Sequence, residues 1–216
     1  KKFIDSKAFE NLDSIIHLAG ANISERWTDK HKKAMYESRI DSANLIHDYC
    51  LKEKIQLKSF ISASGINYYG TFTSDTILDE NDGIILKDFL AELCEKWEAA
   101  AAKFNDIADR TVYLRTAMVL DKNGGAFPML KKTVDFNVGS AVGSGKQWMN
   151  WIHIDDLTDM YVFALENEIS GSFNAVADDI PDNEMFMKSL AKTAGKPFLP
   201  INVPAFMMKI IFGEMS

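Results

Sequence analysis

The chain is poor in the residues that staple or plate small folds. Only two cysteines occur in 216 residues, Cys50 and Cys94, each beside apolar neighbours in a helical pattern and without metal-ligand spacing. That excludes a disulfide framework and points to reduced thiols in the cytoplasm. No apolar run approaches the roughly 18 residues of a membrane span, and the charged start KKFIDSK carries no hydrophobic leader core. The expectation is a soluble, cytoplasmic protein with no membrane partner. Positive charge is also scarce: 24 Lys and Arg against 31 Asp and Glu give a formal net charge of −7. Nucleic acid is therefore not expected as a partner, because counterion release needs clustered cations, and the densest basic run, Lys30-His31-Lys32-Lys33, is short. The four histidines, His17, His31, His47 and His153, have no metal spacing with one another, and no metal is expected.

The absence with most consequence is a glycine-rich turn ahead of the first strand. SIIHLAG, residues 14–20, reads as a short buried parallel strand closed by Gly20. In a nucleotide-binding sheet such strands accompany a turn whose backbone amides hold the ligand's phosphates. Only KKFIDSKAFENLD stands before this one. The later stretch GSAVGSGKQ is no substitute. Its glycine spacing is one residue too long for a phosphate-binding loop, and Gln147 stands where the Mg²⁺-holding hydroxyl belongs.

What is present alternates in period. A helix is expected over 29–54 with Thr28 as its N-cap, and a strand over 58–64. A second helix over 88–104 carries Phe89, Leu93, Trp97, Ala100 and Phe104 at helical spacing, and a third strand covers 111–120. Short helices follow over 127–136, 155–166 and 183–194, with a mobile glycine- and serine-rich loop at 137–147 and a strand over 173–177. A proline-bounded segment and a last helix running into GEMS close the chain. Strand, helix, strand, helix, strand implies an α/β fold, a doubly wound parallel sheet with right-handed crossovers. Residues 1–120 form its nucleotide-binding part, and 121–216 a smaller α+β substrate lobe interleaved with the sheet.

Ligands of such a sheet lie outside the carboxyl ends of its strands. Here those ends are Leu18-Ala19-Gly20, Ser62-Ala63-Ser64 and Thr116 to Val119, where small residues allow close approach to the backbone. Arg39 lies inside the apolar stripe Met35, Arg39, Ser42, Ala43, Ile46, Cys50 of the first helix. A guanidinium there needs an anion, either a protein carboxylate or a ligand phosphate. His17 reads as a core histidine, and Asp155 with Asp156 suits the first turn of a helix.

Together these stretches resemble a family. DSIIHLAG, ISASGINYYG, VYLRTAMVL and WIHIDDLTDMYVFALE are similar to landmarks of the extended short-chain dehydrogenase/reductases. ERW, ESR, YYG, CEKWE, GGAFPML, VGSGKQWMNWIHIDD and GEMS are similar to its atypical nucleoside-diphosphate-sugar epimerase branch. The resemblance spans nearly the whole chain. It implies a Rossmann-like domain whose first strands and glycine turn are missing, so that the chain reads as a fragment with an open sheet edge through which a homo-oligomer would form. It implies NADP or NAD as cofactor, held weakly or not at all by the fragment, with Leu18, Ala19, Gly20, Arg39 and Val119 as contacts. It implies Ser64 as the catalytic serine and a small-molecule substrate such as a sugar nucleotide. Trp148 and Trp151 would shape the substrate pocket.

One departure stands out. The family's proton-transfer pair is Tyr-x-x-x-Lys, with the tyrosine roughly 25 residues after the serine, and that count falls on Phe89 and Leu93, neither of which moves a proton. Tyr68 or Tyr69 in the serine loop, with Tyr69 the nominee, and Lys96 one turn along the helix are the remaining groups, without the family spacing. The two functional expectations are an NAD(P)-dependent epimerase or reductase, and a dinucleotide-binding sensor without that turnover.

Overall fold

The computed structural model describes residues 4–204. Its centre is a parallel sheet in the order β1-β2-β3-β7, formed by Ser14–His17, Leu57–Gly65, Ala108–Thr116 and Gly171–Ala175. Register runs from Ser14 opposite Ser59 through Ser64 opposite Arg115 to Thr116 opposite Ala175. All four strands point the same way, so their carboxyl ends gather at one edge. β1 is an outer strand, with Ile16 partly exposed.

Both faces of the sheet are covered, and its two central strands bury consecutive side chains, Ser59 to Ser62 and Thr111 with Val112, in place of strict alternation. On one face Phe60 stacks on Phe104, with ring centroids 3.5 Å apart. Around them Ala43, Cys50, Leu57, Ala100 and Ala101 close a core against two helical segments. The first comprises α1 (Asp29–Tyr36), a π-helical turn (Glu37–Asp41) and α2 (Ser42–Glu53). The second is α3 (Phe89–Ala102). On the other face Ile61, Val112 and Leu114 pack with Leu157 and Ala164 of α5 (Ile154–Glu166). Thr28 Oγ1 accepts from the His31 N–H, Asp88 Oδ1 from the Ala91 N–H and His153 Nδ1 from the Asp155 N–H. Each side chain satisfies an amide that the first helical turn leaves without a partner.

Two expectations change shape. The strand expected over 111–120 is two strands. At Ala117 the chain leaves the main sheet, its N–H donating to Ala175 O and that of Met118 to Asn150 O. It then continues as β4 (Met118–Asp121) in a second sheet with β5 (Gly124–Gly125) and β6 (Trp151–His153), in the order β5-β4-β6. The segment expected to be a mobile loop is pinned. Val142 N–H donates to Asn183 Oδ1, at the start of α6 (Asn183–Thr193), and Gly143 N–H donates to Val203 O. The short helix α4 (Phe127–Asp135) lies between β5 and that segment. The expected terminal helix into GEMS lies outside the described residues.

Candidate functional site

The carboxyl ends of β1, β2 and β3 open onto a cleft of about 550 Å³. Arg39, Ser64 and Val119 stand in its walls, with Trp97, Cys94, Leu93 and Leu90 of α3 and Met149 and Asn150 from the second sheet's side. Three of the residues expected at a cofactor or catalytic site are thus brought together from a helix and two different sheets. Gly20 backs the cleft: a Cβ placed there would lie 2.9 Å from the guanidinium carbon of Arg39. A larger residue there would push the end of the Arg39 side chain aside. Leu18 and Ala19 are exposed beyond the end of β1 and do not line the cleft.

Arg39 sits in the π-helical turn, where one extra residue per turn shifts the stripe and aims the side chain at the strand ends. It is 7% exposed. Its Nη1 donates to Met35 O at 3.3 Å, and its guanidinium lies over the Trp97 ring at 4.8 Å. Among the described residues no carboxylate pairs with it. Burial lowers its pKa from the usual value, with the nearby Cys94 thiol acting the other way. A buried cation balanced only by a ring face and a carbonyl is a place for an anion.

Ser64 has a different setting. Its hydroxyl donates to Glu98 Oε1 at 2.7 Å. Glu98 in turn accepts from Arg115 Nε at 2.9 Å and from Nη2 at 3.0 Å, a bidentate pair with Arg115 only 4% exposed. Burial pulls the Arg115 pKa down, but the Glu98 carboxylate and the Tyr69 hydroxyl outweigh it and hold the guanidinium above its usual range. Arg115 Nη1 donates to Tyr69 Oη at 3.0 Å, and the guanidinium stacks on Tyr68 at 3.6 Å. Tyr69 Oη has Asn174 Oδ1 at 2.9 Å and Asp79 O at 3.0 Å as acceptors for its one proton. A polar chain therefore runs Ser64, Glu98, Arg115, Tyr69, Asn174. An ion-paired carboxylate only accepts, so Ser64 commits its hydrogen to Glu98 and can turn only lone pairs toward a ligand.

Tyr69 belongs to a second hollow of about 430 Å³, lined by the loop after Gly70, by Asn174 and by Asp178. Ile66, Trp148 and Asn150 line both. Trp148 Nε1 donates to Ser74 O at 2.9 Å, joining the glycine- and serine-rich segment to the loop. Trp151 points elsewhere, its Nε1 donating to Asp179 O.

The helix positions counted for the proton-transfer pair fall differently than expected. Leu93 does line the cleft, but Phe89 does not: it packs on Trp27 and Tyr36 with ring centroids 5.1 and 5.8 Å away. Leu90, Leu93, Cys94 and Trp97 of α3 all face the cleft. Burial, reinforced by the Glu98 charge, pushes the Cys94 thiol up to about 12, so it stays protonated and is no base. Lys96 is tied to Glu92 Oε1 at 2.7 Å on the exposed side of the helix. The residues sequence reasoning missed are Glu98, Arg115 and Asn174. The first two stood in the phrases CEKWE and VYLRTAMVL, but their pairing spans two elements and no periodicity reveals it.

No protein-family model matches the chain. Curated relatives do. Epimerase family protein SAR0825 of Staphylococcus aureus (strain MRSA252) is 34% identical over 216 residues, covering 98% of this chain and 70% of that protein. Epimerase family protein YfhF of Bacillus subtilis (strain 168) is 35% identical over 208 residues, covering 95% of this chain and 67% of that one. Among solved structures, human epimerase family protein SDR39U1 (isoform 2), determined with NADPH, superposes with a TM-score of 0.87 at 30% identity, covering 95% of this chain and 70% of that one. The nucleoside-diphosphate sugar epimerase from Corynebacterium glutamicum gives a TM-score of 0.76 at 33% identity, covering 98% of this chain and 46% of its own length.

Proposed function

This chain belongs to the epimerase family of those relatives, an atypical branch of the extended short-chain dehydrogenase/reductases, and from that membership we propose that the cleft is the nicotinamide-dinucleotide site of an NAD(P)-dependent epimerase or reductase. The observation that carries the reading is Arg39: a buried guanidinium in the cleft wall with no carboxylate among the described residues. It fits the phosphate of a dinucleotide. The NADPH bound by the human relative makes NADP the first cofactor to test and NAD the second. Gly20 leaves room for the guanidinium beside the loop after β1, and Val119 lines the cleft. The bound nicotinamide would supply hydride acceptance and return. Ser64 would hold a donor group of the ligand by its lone pairs, its own hydrogen fixed by Glu98. Tyr69, Asn174 and Trp148 would place the substrate, a small molecule of which the sugar nucleotide implied by the resemblance is one candidate, in the adjoining hollow.

The test is titration of the full-length protein with NADPH and NADH, followed by nicotinamide fluorescence. Arg39→Ala is expected to weaken NADPH binding about tenfold or more, the range of a lost charge-assisted hydrogen bond; an unchanged affinity overturns the assignment. A second reading, dinucleotide binding without that turnover, is favoured by the apolar Phe89 and Leu93 at the counted proton-transfer positions and by the protonated Cys94 thiol in the cleft wall. NADPH binding with no oxidation of NADPH by a panel of aldehydes and ketones, no reduction of NADP⁺ by a panel of alcohols and sugars, and no epimerised product from sugar nucleotides would select it.

A further inference from the structure

The two hollows differ in charge. Among the described residues, the cofactor cleft has Arg39 in its wall and no carboxylate. The second hollow has Asp75 and Asp178 in its wall and, among the described residues, no cation. More acid surrounds it: Glu80 Oε1 accepts from the Asn174 N–H at 2.8 Å, and Asp82 Oδ2 accepts from the Asp79 N–H at 2.7 Å. Beneath this hollow lies Arg115, already engaged. Both Glu98 oxygens, Tyr69 Oη and Glu80 O take four of its five N–H hydrogens, Tyr68 covers its face, and it is 4% exposed. A phosphate has no route to it without breaking a bidentate pair.

The remaining walls suit a flat, hydroxylated molecule. Phe72 and Trp148 present aromatic surface, Ile77 and Ile180 aliphatic surface, and Asn150 and Asn174 bring amides. Amides and aromatic faces recognise hydroxyl and ring edges without charge. We propose that the second hollow takes an uncharged, hydroxylated ring compound and excludes a nucleoside diphosphate. Two wall carboxylates facing a diphosphate disfavour it by roughly tenfold or more at solvent-like dielectric. The inference rests on the reading of the cleft as the dinucleotide site and narrows the substrate of that site.

The experiment uses the full-length protein and two probes that share one nucleoside, uridine and UDP. NADPH binding is first measured alone, so that failure of the cofactor reading shows separately; the probes are then titrated into the protein with and without NADPH. Fluorescence of Trp148, assigned with Trp148→Phe, reports on the hollow. Uridine is expected to bind, UDP to bind about tenfold or more weakly, and Asp75→Asn with Asp178→Asn to close that gap while leaving uridine affinity in place. The proposal is overturned if UDP binds as tightly as uridine or more so, if the double variant leaves the gap unchanged, or if uridine gives no response in the NADPH-loaded protein.

Discussion

Removing the Glu98 carboxylate should unfold this protein's site before it changes anything else. Glu98 accepts three hydrogen bonds, from Ser64 Oγ and from Nε and Nη2 of Arg115, and Arg115 is buried. Glu98→Ala leaves that guanidinium desolvated with only neutral acceptors, Tyr69 Oη and Glu80 O. Breaking one side of such a buried pair costs about 3–5 kcal/mol, equivalent to about 6–20 °C in Tm for a domain of this size. Replacing both partners, Glu98→Leu with Arg115→Met, removes the stranded charge along with the pair and should cost less than the single change. Equilibrium urea unfolding followed by far-UV circular dichroism measures all three, with an unchanged slope as the check that the unfolded states are comparable. A loss below about 1 kcal/mol for Glu98→Ala, the range of exposed pairs, would refute the reasoning. A double variant as damaged as the single one would refute it equally.

Three further outcomes follow from the same geometry. Cys94 has its thiol pushed up to about 12 from 9.0 by burial and Glu98. The folded state keeps a proton that the unfolded chain releases, so stability falls as pH rises from about 9 to about 12, and Cys94→Ala should flatten that loss in pH-dependent urea melts. His17 is held below its usual 6.5, chiefly by burial and then by the Arg39 charge. Its contribution is present above pH 6.5 and is lost on acidification, as the unfolded chain binds a proton the fold refuses, and His17→Gln should blunt the acid limb. Gly20→Ala places a Cβ 2.9 Å from the Arg39 guanidinium carbon. It should lower NADPH affinity severalfold while changing stability by less than about 1 kcal/mol, as titration and urea melts on one preparation would show.

The sheet was legible because its information is local. Strands buried on both faces, such as Phe60 to Ser62, and helices with capping side chains at Thr28 and Asp88 state their own conformation within a few residues. Arg39 in an apolar stripe is a sequence signal as well, since a cation in such a stripe must meet an anion; spacing leaves a protein carboxylate and a ligand both open, and among the described residues the packing around Arg39 supplies a carbonyl and a ring face but no carboxylate. The break at Ala117 was invisible, because TVYLRTAMVL is one apolar run and the change of sheet is made by hydrogen bonds to Asn150 and Ala175 far along the chain.

The acid–base positions show the same division more sharply. Counting from Ser64 reaches α3, where Leu93 lines the cleft and Phe89 packs away from it on Trp27 and Tyr36, a distinction made by packing and not by spacing. Local patterning of apolar and polar residues determined the elements and their order. The tertiary structure alone decided that Glu98 meets Ser64 and Arg115, that Tyr69 meets Asn174, and that the two hollows adjoin at Trp148. Those contacts join residues 17 to 105 positions apart, and nothing periodic in a sequence encodes a pairing at that range.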